Sequence, residues 1–200
     1  MTDPVLIEQF VKKGDVGAFN TLVWRWEKPM FNFIYRTVGN EETAKDICQT
    51  TFIRVFKEMR KLRDPEKFSP WIYRIALNLC RDELKMRKNR HLFHLGNFMH
   101  DDESSNPIRE MPDQDTKTPD ELCHHQQIGE ILKQALMALP EEQRVVIVMK
   151  QYQGLKFTEI AGILKQPLNT VKSRLYYGLR TLRKILEESE LSKEVLLDEM

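Results

Sequence analysis

Residues 100–121 of this chain read HDDESSNPIREMPDQDTKTPDE, a stretch with three prolines and no apolar period. No helix or strand built from it has a face to bury, so it reads as a linker. A 200-residue chain interrupted there leaves two bodies of modest size, each in need of its own core. With 41% hydrophobic and 30% charged residues, the chain has the apolar matter for such cores, which excludes wholesale disorder.

On either side of the interruption the apolar period is helical. Phe157, Ile160, Ala161 and Leu164 recur at i, i+3, i+4 and i+7, and Val171, Leu175, Leu179, Leu182 and Leu186 form a second stripe. Strand signals are absent. The expected fold is all-α, with two small helical domains joined by a flexible acidic linker. The first domain should hold helices over 4–13, 16–38, 41–61 and about 70–90, with Asn40 as an N-cap and Arg63, Asp64 and Pro65 breaking the pattern before the last. Ile72, Ile75, Ala76 and Leu79 are the expected buried face of that last helix. The second domain begins near Asp120 or Ile128, and its first helix ends before Leu139 and Pro140. A second helix then starts at Pro140 and stops near Gly154, followed by two over 157–165 and 167–186. The plan is a first domain at 1–90, a linker at 91–127, a second domain at 128–186 and an acidic tail at 187–200.

The net charge of +1 conceals a segmental pattern. Residues 1–90 carry 18 Lys and Arg against 12 Asp and Glu, and residues 128–186 carry 10 against 4. The linker has 2 against 8 and the tail 1 against 6. Two basic blocks favour a polyanion such as nucleic acid, although a solvated surface can show the same excess. No run approaches the ~18 apolar residues of a membrane span, and no cationic, then apolar, signal region opens the chain, so the expected location is the cytoplasm.

Cys48, Cys80 and Cys123 match neither a disulfide framework nor a paired zinc-ligand pattern, and Cys48 and Cys80 fall within apolar helical patterns as core thiols. Cys123, His124 and His125 are contiguous and would point in different directions on one helix. They, with His91, His94 and His100, read as polar linker and surface residues. No catalytic residue, metal, cofactor or small-molecule substrate is expected, and the chain is not expected to be an enzyme.

The spacing FTEIAGIL, KQPLN, TVKSRLYYGLRTLRKIL is that of a helix-turn-helix. Val171, Leu175, Leu179 and Leu182 should bury against the domain, leaving Lys172, Ser173, Tyr176, Arg180 and Arg183 on the other side. Such donors suit a major groove about 12 Å wide; the rival reading is a helical hairpin with a solvated basic face. The turn is unusual, with Lys165 where many such motifs have Gly. In the first domain, Phe68, Trp71, Tyr73, Arg74, Asn78, Arg81 and Lys85 interleave aromatic and basic or polar side chains, which can stack unpaired bases while neutralising phosphates. By helical spacing alone, Trp71 or Tyr73 could equally be core aromatics.

The run LPEEQRVVIVMKQYQGLKFTEIAGILKQPLNTVKSRL (139–175) resembles domain four of the extracytoplasmic-function sigma factors of the sigma-70 family. NEETAKDICQTTFIRVFKEMRKL and FSPWIYRIALNLCRDELKMRKNR, within residues 40–90, resemble sigma domain two. The resemblance implies that Asp46, Gln49, Phe52 and Arg54 dock on the clamp of core RNA polymerase and that domain four meets its flap. It also implies that the loop Leu62 to Ser69 and the helix after it bind the melted non-template strand of the minus-ten element. Thr170, Lys172, Ser173 and Tyr176 would read the minus-thirty-five duplex, with Arg174 and Arg180 as phosphate or structural contacts. The linker would thread the polymerase cleft with its acids in a polyanion's place, and an anti-sigma factor is a partner commonly found with such proteins. The alternative is a conventional helix-turn-helix regulator that binds duplex DNA without polymerase, for which the aromatic-basic helix of the first domain has no use.

Overall fold

The computed structural model of the protein describes residues 1–94 and 119–188, with side chains placed for 1–90 and 128–188. No strand occurs among the described residues. The first body comprises α1 (Asp3–Lys13), α2 (Val16–Val38), α3 (Glu41–Glu58) and α4 (Phe68–His94), and the second α5 (Pro119–Met137), α6 (Glu141–Ile147), α7 (Phe157–Leu164) and α8 (Leu168–Glu188).

Local chemistry sets the ends of the early helices. Gly14 and Gly39 close α1 and α2 in the left-handed region, at φ 67° and 79°. Asp15 then accepts from the backbone N–H groups of Gly17 and Ala18 at 2.9 and 3.2 Å, and Asn40 from that of Thr43 at 2.9 Å. The helix expected over 41–61 tightens at its end into a 3-10 turn, Met59–Lys61. A second such turn, Pro65–Lys67, is capped by Asp64 and runs directly into α4 at Phe68, before the expected start at Pro70.

α5 begins inside the stretch expected as linker. Its first residue is Pro119, which needs no hydrogen-bond donor in a first turn, so a residue that looks like a breaker opens the helix. The remaining linker, including Asp101, Asp102, Glu103, Asp113 and Asp115, lies outside the described residues, as does the tail beyond Glu188. So do the side chains of Cys123 and of all five histidines.

The first body packs around Met30, Phe33, Ile34, Val55, Phe68 and Ile72, all essentially without exposure. Phe10, Phe19 and Phe56 tie α1, α2 and α3 together at centroid separations of 5.1 to 5.2 Å. Arg87 pins α4 to α3 through the Thr43 hydroxyl and to its own helix through Glu83 at 3.0 Å.

Every residue from Arg144 to Met149 is buried, so this stretch, the end of α6 and the start of its continuation, has no solvent face. Ile147 points to a cluster with Leu136, Leu139, Leu175 and Leu182 in its own domain. Val145, Val146, Val148 and Met149 belong instead to an apolar cluster continuous with the first body's core. A helix apolar all round is a helix with neighbours on both sides, and here those neighbours are the two domains. Arg144 Nη1 donates to the Met137 carbonyl at 3.0 Å, supplying a partner at the end of α5.

Cys48 and Cys80 are buried free thiols, as their apolar setting predicts. Burial pushes them up to about 11 and about 12 respectively, so both stay protonated near neutrality. In the folded protein at pH 8 neither should react with Ellman's reagent, whereas denaturation should release both; mass mapping of modified peptides checks this.

Candidate nucleic-acid interface

The turn between α7 and α8 takes the left-handed geometry that the motif requires. Lys165 adopts φ 53°, ψ 45°, and it is the one positive-φ residue other than glycine among the described residues. A side chain there costs about 1–2 kcal/mol relative to glycine. Lys165→Gly should therefore stabilise the protein by roughly 1 kcal/mol after the added freedom of the unfolded chain, raising Tm by about 2–4 °C in calorimetry. At the other end of α7, the Glu159 carboxylate accepts the Lys156 backbone N–H at 2.7 Å. Lysine has no acceptor to reciprocate, so this is half of a capping box.

α8 presents Lys172, Ser173, Tyr176 and Arg180 to solvent, with Thr170 half-buried near its start. Tyr176 is 65% exposed and meets Tyr177 edge to face at 5.6 Å. The Ser173 hydroxyl donates to the Thr170 carbonyl at 3.0 Å. Arg174 is engaged at home: Nη2 pairs with Glu142 at 2.5 Å and ties α8 to α6. The buried stripe differs from the expected one, because Val171 and Gly178 are the deeply buried residues while Leu179 is 38% exposed. α6 approaches α8 so closely at Gly178 that the helix rotates its small residue inward and turns Leu179 away.

On α4 the seven expected strand contacts divide into three groups. Phe68 and Tyr73 are 1% and 3% exposed and form core aromatics: Trp26 packs edge-on against both, and Phe33 against Tyr73 at 5.1 Å. Neither ring is open to a base in this arrangement. Burial also pushes the Tyr73 phenol far above its ordinary range. Arg74 and Arg81 are half-buried, and both are held by the second domain. Asn78 and Lys85 are exposed, and Trp71 is half-buried against Phe68 at 6.0 Å. The buried face of α4 is Ile72, Tyr73, Ala76, Leu77 and Cys80; Ile75 and Leu79, expected there, are only partly covered.

On α3, Asp46, Gln49 and Arg54 are exposed and Phe52 is half-buried. Ile53, which sequence reasoning passed over, stands 53% exposed, four residues after Gln49 and seven after Asp46, and so on their face. The signal was available: Ala44, Ile47, Cys48, Thr51 and Val55 form the buried stripe, and Ile53 is an apolar residue out of phase with it. Among the described residues no group of three or more His, Cys, Asp or Glu could hold a metal ion, and no helix is long and apolar enough to cross a membrane.

Two family models match the sequence: sigma-70 region 2 over residues 22–90 and sigma-70 region 4 over residues 129–182. The extracytoplasmic-function sigma factor SigW of Bacillus subtilis (strain 168) is 33% identical over 178 residues, which cover 89% of this chain and 94% of that protein. The sigma-E factor of Escherichia coli (strain K12) is 30% identical over 182 residues, 88% of this chain and 90% of its own. Among solved structures, the sigma factor RpoE in complex with the anti-sigma factor NepR from Bartonella quintana matches with a TM-score of 0.67 at 17% identity, over 86% of this chain and 98% of that one. CnrH, solved with the cytosolic domain of CnrY, gives 0.64 at 24% identity, over 94% and 99%. These two share the fold.

Proposed function

The protein belongs to the extracytoplasmic-function RNA polymerase sigma factors, and from that premise we propose how its surfaces divide the work of starting transcription. As a sigma factor it directs transcription initiation, with core RNA polymerase and promoter DNA as its partners. The conventional regulator has no support, since the matched regions account for both domains.

In this reading α8 enters the major groove of the minus-thirty-five element, where Lys172, Ser173 and Tyr176 meet base edges and Arg180 a phosphate. The observation that carries it is the exposure of those four side chains on one face of a helix whose other face is locked to α6. Arg174, tied to Glu142, orients the helix. On α4, Trp71 stacks an unpaired base while Arg74, Asn78, Arg81 and Lys85 follow the strand, and the buried Phe68 and Tyr73 hold α4 in position. The clamp of the polymerase takes the α3 face of Asp46, Gln49 and Ile53, with Arg54 at its margin. An anti-sigma factor, of the kind seen with Bartonella RpoE, would compete for these faces.

Melting costs roughly 1–2 kcal/mol per base-pair step, and each captured base returns about 1–3 kcal/mol by stacking. Capture of bases therefore offsets only part of the cost, and opening depends on the polymerase as well. The purified chain should co-elute with core polymerase in gel filtration and direct run-off transcripts from defined start points. Within that complex, Trp71→Ala together with Arg74→Ala should abolish permanganate reactivity of promoter thymines; unchanged reactivity removes the strand-trapping role of α4.

A further inference from the structure

The two domains meet along α4, where Arg74 Nη2 donates to the Gly162 carbonyl at 2.8 Å and Arg81 Nε to Glu141 Oε1 at 3.1 Å. The same meeting sets α2 beside the continuation of α6, and a cleft of about 280 Å³ lies there. α6 runs on through a wider turn, Val148–Tyr152, after which the Gln153 N–H reaches back five residues to the Val148 carbonyl at 3.2 Å. Such a π turn is frequent at functional sites. Here it delivers Tyr152 and Gln153 to one wall of the cleft, opposite Lys28, Asn32 and Arg36 of α2.

The cleft is lined by donors. Lys28, Asn32 and Arg36 recur at i, i+4 and i+8 on one stripe of α2, about 12 Å from end to end at about 1.5 Å per residue. Gln153 Oε1 already accepts from the Tyr73 hydroxyl at 2.7 Å, so its amide N–H groups are what it offers a ligand. Arg36 lies over the Tyr152 ring at 4.4 Å, a contact that steadies the guanidinium while consuming none of its N–H donors. Its hydrogen bond from Nη1 to the Asn32 carbonyl is long, at 3.4 Å. Pro29 completes the lining, and none of the six residues is a carboxylate. Among the described residues neither Lys28 nor Arg36 has an ion-pair partner, whereas Arg25, one turn away, is paired with Asp3. Two cations facing a concave space without a counter-charge favour an anion long enough to meet both.

Trp24 narrows the kind of anion. At 82% exposure it is the most exposed aromatic side chain among the described residues, and it stands one turn before Lys28 on the same face of α2. An indole in water beside phosphate-binding cations is a stacking platform for a base. We propose that the cleft binds a nucleoside polyphosphate, with its phosphates among Lys28, Asn32, Arg36 and Gln153 and its base stacked on Trp24. The volume agrees with that division: pockets that enclose a whole drug-sized ligand begin at about 300 Å³, so this one has room for the phosphates while the base stays outside. The site is composite, because α2 brings the cations and the indole while the second domain brings Gln153 and the ring under Arg36. It shares no residue with the surfaces assigned above to promoter or polymerase, so its failure leaves those assignments standing.

The test is a titration of the full chain with GTP carrying a fluorescent ribose label, read by anisotropy without divalent cations at about 0.1 M salt, where exposed charges beyond about 10 Å are screened. Unlabelled GTP, ATP and inorganic tripolyphosphate serve as competitors, and a fluorescein-labelled single-stranded hexanucleotide is titrated separately. Saturable binding of one nucleotide per chain is expected. Lys28→Gln should weaken it about tenfold through the lost charge-assisted contact, while Lys57→Gln, which removes an exposed lysine of α3 and makes the same change in net charge, should leave it unchanged. Trp24→Ala should weaken GTP about tenfold by removing the stacking platform and leave the affinity for tripolyphosphate as it was, since only the base uses the ring. All three positions are exposed, so thermal melts should match wild type. Absence of saturable binding below about 1 mM overturns the proposal, as does an equal loss in Lys28→Gln and Lys57→Gln. A Trp24→Ala chain that binds GTP as wild type does removes the base platform and with it the nucleoside assignment. Binding of the hexanucleotide without binding of free nucleotides shows a nucleic-acid strand in the cleft and overturns the proposal as well.

Discussion

Ile53→Arg is expected to weaken the complex with core RNA polymerase at least about a hundredfold while leaving the fold intact. Ile53 is an apolar side chain on an exposed face of α3 that it shares with the polar Asp46 and Gln49 and with the partly exposed Phe56. An interface gains most from a few central residues that lose their water completely. Replacing one of them by a guanidinium forfeits the apolar burial and also forces a charge into a desolvated contact without a built partner. A hundredfold loss corresponds to about 2.8 kcal/mol, within reach of those two effects together. Because the side chain is exposed in the free chain, stability should change by no more than about 0.5 kcal/mol. The check is a competition titration for core polymerase together with a thermal melt. A variant that binds as wild type places the polymerase contact on another face, and one that fails to fold shows Ile53 to be a core residue.

Gly178→Leu should produce the second large effect, by unseating α8, the helix proposed to read the duplex. A Cβ added at Gly178 stands 2.9 Å from Ile147 Cδ1 and 3.1 Å from Gln143 Cβ, so α6 and α8 touch nearly backbone to backbone. For alanine two terms compete. Helix propensity favours it by about 1 kcal/mol, and the Ile147 methyl can move a few tenths of an ångström, while Gln143 Cβ, next to its backbone, yields less. Gly178→Ala should accordingly be within about 1 kcal/mol of wild type. Leucine adds three further carbons against an Ile147 side chain that is 2% exposed, and overpacking of that kind costs roughly 3 kcal/mol. The melting temperature should fall by about 6–12 °C, and transcription from a promoter dependent on its minus-thirty-five element should drop at least about tenfold. Unchanged melting and transcription would mean that the α6–α8 crossing relaxes freely and does not hold α8 for reading.

Much of this protein is legible from residue order, because local interactions set helix identity. The stripe Phe157, Ile160, Ala161, Leu164, the caps Asp15 and Asn40 and the left-handed glycines at 14 and 39 all act within a turn or two of themselves, and the helices form where those signals place them. The basic face of α8 follows from the same periodicity. The start of the second domain stayed between two readings, near Asp120 or near Ile128, and α5 begins at Pro119, beside the first of them.

The tertiary structure alone decided which side of an already correct helix is covered. Tyr73 is both a plausible stacking platform and a good core aromatic. It became core because Trp26 and Phe33, forty or more residues earlier in the chain, close around it. Leu179 carried the right period and still lost its place to Gly178, because the distance of approach between two helices depends on the side chains of both. The all-round burial of Arg144–Met149 and the grip of Gly162 and Glu141 on α4 likewise belong to no segment by itself. Sequence by itself determined the helices, their order and the chemistry on each; the docking of one domain on the other decided which of that chemistry faces water, because burial is a property of pairs of surfaces that meet only after the chain has folded.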